Sequence, residues 1–200
     1  FLLIDRFGTG RVPAAFALKS RLDGWCERFG LPGLADRMLQ SLTAMLPDHL
    51  PPRLRAYRDR YEHHLLLKMS AVDAEATRAF LDTFFGSREG DFFACDDDEG
   101  RKAFLLRFAV AGAAVRYRAV HADEVEDIVA LDVALRRDDR AWVEQLPADV
   151  ATTMVARLYY GHFFCHVFHQ DYIVKKGADP LAVEHRLWDL LDARGAEYPA

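Results

Sequence analysis

Hydrophobic and polar positions alternate along this chain with periods that change from segment to segment. After Pro13, Ala15, Leu18, Leu22, Trp25 and Phe29 recur at spacings of three and four, which is one face of an amphipathic helix. Lys19, Arg21, Glu27 and Arg28 lie on its flanks, and Gly30 with Pro32-Gly33 breaks it. Leu34, Met38, Leu42 and Met45 predict a second helix running to Pro47, and Pro51-Pro52 closes the segment. A strand is expected over 62–69, a helix over 74–85 with Phe80, Leu81 and Phe84 on one side, and a short strand over 91–95. Asp96 to Glu99 place acids at the start of the next helix, whose apolar body over 103–115 carries one charge, Arg107. The pattern then predicts a strand over 128–135 containing Asp132, a helix over 150–160, and a strand over 161–177. A last helix over 178–195 starts at Pro180, buries Leu181, Leu187, Leu190 and Leu191, and ends at Gly195. FLLID at 1–5 reads as a further short strand.

Strands and helices therefore alternate, but no glycine-rich nucleotide fingerprint follows any strand, which argues against a Rossmann or P-loop role. The expected fold class is α+β: a largely antiparallel sheet covered by helices on one face. Residues 1–10 and 61–200 form its body, and 11–60 form an inserted amphipathic helical segment.

Composition is that of an ordinary globular domain, 51% hydrophobic and 28% charged. No apolar run approaches the roughly 20 residues that span a bilayer. The first residue is Phe and no secretion signal follows it, so the chain reads as an internal piece of something longer. Cys26, Cys95 and Cys165 are too scattered for a disulfide framework or a metal-ligand pattern. The net charge of −5 is unevenly spread: 11–60 hold nine Lys/Arg against five acids, a local +4 that leaves −9 for the remainder. A basic portion on an acidic body suits an anionic partner. Nucleic acid is the weaker option, because the cluster Arg53, Arg55, Arg58 and Arg60 is short and an acidic body follows it. An amphipathic pair of helices carrying Phe16, Trp25 and Phe29 suits a membrane interface, or else a hairpin packed on its own domain.

The densest chemistry lies in GHFFCHVFHQDYIVKKG, Gly161 to Gly177, where His162, His166 and His169 sit among aromatic and branched residues. Imidazoles in an apolar strand need hydrogen-bond partners, a metal or a substrate. On one regular strand, His162 and His169 would point to opposite faces, so their convergence requires a bulge or turn between Phe163 and Phe168. Arg107, alone in an apolar helix, must reach the surface or meet an anion, and its planar fork suits a carboxylate.

The segments YEHHLLLKM, EGDFF, AGAAVRYRAVHADEVEDIVALDVALRR and LYYGHFFCHVFHQDYIVKKG together resemble the C-terminal half of the membrane-associated, quinone-dependent D-lactate dehydrogenases, flavoproteins of the vanillyl-alcohol-oxidase type. The resemblance implies a cap domain over a flavin, with a membrane-binding insert, in an enzyme that oxidises D-lactate to pyruvate and passes electrons through FAD to a membrane quinone. It places FAD mainly on sequence outside this chain and the protein on the cytoplasmic face of the bacterial inner membrane. Wider relatives carry a His-x6-His pair that, with a later glutamate, binds a divalent metal and substrate. His162 and His169 have that spacing, and so are implied as catalytic base, hydrogen-bond donor or metal ligands. Arg107 is implied as carboxylate ligand, with Asp132 as its neighbour. Phe16, Leu18, Lys19, Arg21, Leu22, Trp25, Arg28 and Phe29 are implied as contacts to an anionic lipid surface. The alternative is a membrane-surface module with no catalytic role when separated from its flavin domain.

Overall fold

A computed structural model of the chain describes residues 10, 12–46, 48 and 50–199, and the side chains of residues 12, 107 and 108 also lie outside it. The strand expected at 1–5 falls outside the described residues. The helices and strands, in order, are α1 (Val12–Arg28), α2 (Leu34–Ala44), α3 (Pro52–Arg60), α4 (Ala74–Phe85), α5 (Asp97–Val110), α6 (Ala113–Val120), β1 (Val125–Ala134), α7 (Ala148–Ala151), β2 (Met154–His162), β3 (Val167–Lys175) and α8 (Pro180–Arg194). They fall into two compact units, one of residues 48–109 and one of 13–46 with 110–199.

In the first unit, α4 matches the expected boundaries, but two expected strands do not form. Residues 62–69 and 91–95 form no strand, because among the described residues neither has a ladder partner, and a strand without one leaves its backbone groups to water. The basic stretch after Pro51, inside the segment expected to be helical, forms α3, with Pro52 in the first turn, where a missing N–H costs nothing. The acids before α5 form a reciprocal cap: the Glu99 amide donates to Asp96 Oδ1 at 2.9 Å, and the Asp96 amide donates to Glu99 Oε2 at 3.0 Å. Glu99 is buried and also takes Arg53 Nε at 2.8 Å, so one carboxylate closes a helix start and an ion pair. Arg58 and Arg60 reach Asp48, Asp59 and Asp91, which neutralises much of the charge of α3.

The second unit holds the sheet, three antiparallel strands in the order β1-β3-β2. Its two faces differ. On one, Val129, Leu131 and Val133 of β1 with Phe168, Tyr172 and Val174 of β3 pack against Val183, Leu187 and Leu191 of α8. These aliphatics and aromatics are the main core. Leu181, expected inside, is exposed, because the buried stripe of α8 runs through 183, 187 and 191 at spacings of four. On the other face, α6 covers only one end, where Ala114 meets Val125 and Ile173.

The helix expected over 150–160 is wrong. Only Ala148–Ala151 are helical, and β2 follows, because pairing with β3 outweighs the mixed local propensity of this segment. The α1–α2 pair belongs to the sheet unit. Asp36 is buried and takes Lys19 Nζ at 2.9 Å and Arg116 Nε of α6 at 2.9 Å, with Lys19 also on Asp23 at 2.7 Å. Gly33 (φ 72°) lies so close to the Ala119 carbonyl that a Cβ would stand 3.0 Å from its oxygen. Lys19 of α1 thus turns inward onto Asp36, while Phe16, Leu18, Leu22, Trp25 and Phe29 point outward.

Candidate active site

The apparent single histidine strand is a hairpin. After His162 the chain makes one 3-10 turn, Phe163–Cys165, and returns as β3, with His166 in the left-handed region (φ 54°) closing the turn. The single strand expected over 161–177 is therefore two strands, and of the bulge or turn that convergence of the histidines requires, the chain makes a turn with a full change of direction. No Gly, Pro or Asn marks it, and the residues that hold it come from elsewhere. Trp142 packs on Phe163 and Phe168 at ring distances of 4.6 and 5.6 Å, Arg137 donates to the Phe164 carbonyl, and His166 Nδ1 meets the Arg136 carbonyl at 3.1 Å. His166 is thus a structural residue of the turn.

The register then sets the chemistry. Residues directly opposite in an antiparallel ladder share a face. Asp132 of β1 lies opposite His169 of β3, and His169 lies opposite Tyr160 of β2, so the three form one row across the sheet. In the adjacent row Ala130, Asp171 and Leu158 align, and on the other side His162 faces Val167. This is the face that α6 leaves largely uncovered. His162 and His169, seven apart in sequence, stand with ring centroids 5.8 Å apart, edge to face. The chain reversal removes the opposite-face geometry that one regular strand would impose.

His169 Nδ1 is hydrogen-bonded to Asp132 Oδ1. A carboxylate accepts only, so in the neutral ring Nδ1 carries the proton and Nε2 keeps its lone pair. The Tyr160 hydroxyl donates to Asp171 Oδ2 at 3.1 Å, and its ring lies 5.2 Å from that of His169. Burial pushes the Asp171 carboxyl above its ordinary range, although the bond from Tyr160 pulls the other way. Burial and then the neighbouring Asp171 push the Tyr160 hydroxyl up to about 12, so it stays a donor at neutral pH. A cavity of about 510 Å³ runs along this face, lined by Arg118, Ala130, Asp132, Tyr160, His169 and Asp171 among others. The arrangement offers an oriented imidazole beside a cavity of mixed polar and apolar lining.

Of the residues expected in a site, His162, His169 and Asp132 come together. Asp132, expected as a neighbour of Arg107, is bonded to His169. The side chain of Arg107 lies outside the described residues. Lys19, expected among lipid-facing cations, is instead held inward by Asp23 and Asp36, whereas Arg21 and Arg28 are exposed. Tyr160 was missed because 150–160 read as helix. The run Val155, Leu158, Tyr159, Tyr160 was the available strand signal.

The match to known proteins is continuous. A family model described as D-lactate dehydrogenase, membrane binding, covers residues 1–200. The chain belongs to this family. It is 54% identical to a quinone-dependent D-lactate dehydrogenase of Escherichia coli over the whole chain and 35% of that relative. It is 49% identical to the Haemophilus influenzae protein of the same name over the whole chain and 36% of that relative, and 45% identical to the Corynebacterium glutamicum one over 84% of the chain and 30% of that relative. The chain spans about a third of the length of these relatives. The cavity beside His169 is lined by four carboxylates, Asp127, Asp132, Asp171 and Glu184, and presents no glycine-rich turn to cradle a dinucleotide. Among the described residues no three His, Cys, Asp or Glu are grouped to hold a metal ion. No described helix is long and apolar enough to cross a membrane.

Gly161 ties this geometry to a single position. It pairs with Phe168, and a Cβ there would stand 2.5 Å from the Val167 carbonyl oxygen and 2.8 Å from Phe168 Cα, both backbone atoms. Gly161→Ala is expected to force the hairpin apart and destabilise the protein by about 2 kcal/mol. Urea unfolding would measure it, and an unchanged midpoint would show that the strands relax freely.

Proposed function

We propose that this chain is the cap and membrane-binding portion of a respiratory flavoenzyme of the vanillyl-alcohol-oxidase type, which oxidises D-lactate to pyruvate and delivers the electrons to a membrane quinone. The observation that carries the reading is the His169–Asp132 pair on the open face of the sheet, in a chain 54% identical to a quinone-dependent D-lactate dehydrogenase along its whole length. Oxidation of a 2-hydroxy acid requires removal of the hydroxyl proton as the C2 hydrogen leaves with its electron pair. His169 Nε2 is the base for that proton, and Asp132 holds the ring in the required tautomer and stabilises the imidazolium that forms. His162, beside it, donates a hydrogen bond to the substrate. Arg107 is retained as the cation for the substrate carboxylate. FAD, held on sequence outside this chain, supplies the hydride acceptor when bound.

The membrane role rests on the outward face of α1. Phe16, Leu18, Leu22, Trp25 and Phe29 are exposed on a helix anchored from its other side by Asp36, an arrangement suited to lying in a lipid interface. Arg21 and Arg28 add attraction to anionic headgroups. The association is peripheral, on the cytoplasmic face of the inner membrane.

The full-length protein is expected to carry a flavin that D-lactate bleaches without oxygen and a quinone analogue restores. A flavin that L-lactate bleaches equally fast, or that neither acid bleaches, would refute the substrate assignment.

A further inference from the structure

Two groups on the open face have no part in the proton transfer proposed above, yet they adjoin its base. Tyr160 stands directly across the ladder from His169, with ring centroids 5.2 Å apart and planes inclined by 32°. Asp171, the next residue of β3 on this face, is only 7% exposed and accepts the Tyr160 hydroxyl at 3.1 Å. A carboxylate this deeply buried is costly unless it is hydrogen-bonded. A phenol this close to an imidazole restricts how far that ring can turn.

We infer that Tyr160 and Asp171 act as one positioning unit: Asp171 anchors the Tyr160 hydroxyl, and the anchored phenol ring forms the second wall that holds His169 against Asp132. His169 is otherwise half open. Its side chain is 30% exposed and that of Asp132 is 61% exposed, so the hydrogen bond to Asp132 alone sits in partial contact with water. One hydrogen bond fixes one ring nitrogen but leaves the ring free to swing about it. A flanking aromatic wall removes that freedom. Asp132 defines the tautomer from the β1 side, and Tyr160 defines the plane from the β2 side. The wall is itself immobile because its far end is tied back to the strand that carries His169. Misplacing a reacting group by about 1 Å can cost up to about 100-fold in rate.

The inference rests on His169 being the base, and the test separates the two. In the full-length enzyme, D-lactate turnover would be measured for Tyr160→Phe, Asp171→Leu, Asp171→Asn, the double variant Tyr160→Phe/Asp171→Leu, and His169→Ala. Flavin content and thermal midpoint would be recorded for each. Tyr160→Phe and Asp171→Leu each break the anchor and are expected to lower kcat about tenfold, with KM changed less than about twofold. The double variant is expected to be no worse than either single change, because both remove the same restraint. Asp171→Asn keeps an oxygen that accepts from the Tyr160 hydroxyl and is expected to recover most of what Asp171→Leu loses. Wild-type kcat in Tyr160→Phe, multiplicative losses in the double variant, or an Asp171→Asn loss equal to that of Asp171→Leu would each overturn the unit. A general loss of flavin or thermal stability that accounts for the fall in kcat would assign the pair to folding and overturn it as well. Turnover near wild type in His169→Ala would instead refute the base assignment, a different failure with a different readout.

Discussion

His169→Ala is expected to lower D-lactate turnover about 1,000-fold in the full-length enzyme, with little change in flavin content. General-base catalysis contributes about 10²–10⁴ in rate, and a thousandfold loss corresponds to about 4 kcal/mol of transition-state stabilisation. On the proposed reading this contribution falls on one atom. Nδ1 of His169 is bonded to Asp132, so Nε2 is the nitrogen left to accept a proton. Asp132→Ala is expected to cost less, because the imidazole remains and only its tautomer and orientation are freed. That ordering, His169→Ala worse than Asp132→Ala, separates a base from its support. Stopped-flow measurement of flavin bleaching isolates the chemical step. A His169→Ala variant within about threefold of wild type would rule out the base role, since even a weak general base contributes more.

The double change Trp25→Glu/Phe29→Glu is expected to weaken binding to vesicles containing anionic lipid by about 100-fold or more. Trp25 and Phe29 lie edge to face, 4.8 Å apart, and are 62% and 64% exposed. Burying one large apolar side chain stabilises by about 1.5–3 kcal/mol, so losing two removes roughly 3–6 kcal/mol, well above the roughly 1.4 kcal/mol of each tenfold. The fold should survive, because α1 is held from its opposite side through Lys19 and Asp36. Co-sedimentation with neutral and with anionic vesicles, at low and high salt, distinguishes the two components. The arginine contribution fades with salt and the aromatic one does not. Unchanged sedimentation of the double variant would move lipid contact away from α1.

Period and punctuation in the sequence made much of the second unit readable. Pro180 and Gly195 bracket α8, and the alternation around Asp132 marks β1, because proline, glycine and side-chain period act within a few residues of themselves. The reciprocal Asp96–Glu99 cap is equally local. The stripe Leu18, Leu22, Trp25, Phe29 was also legible, but not which way it faced. Its outward direction goes with Asp36 of α2, which draws Lys19 inward and is itself paired with Arg116 of α6, far along the sequence.

The histidine segment divides the same way. Residue types brought out a cluster of three histidines, the family resemblance singled out His162 and His169 by their spacing, and strand geometry made a bulge or turn between Phe163 and Phe168 the condition for their convergence. Phe163, Phe164, Cys165 and His166 carry no turn signal of their own, so the reversal depends on Trp142, Arg137 and the Arg136 carbonyl, supplied from about thirty residues upstream. Once the chain turns back, ladder register puts Asp132, His169 and Tyr160 in one row, and no local property of any of the three encodes that. Local propensity and period extend over a few residues, whereas register across a sheet is a sum over many distant contacts. The imidazoles were therefore written in the sequence, and their partners were chosen by the fold.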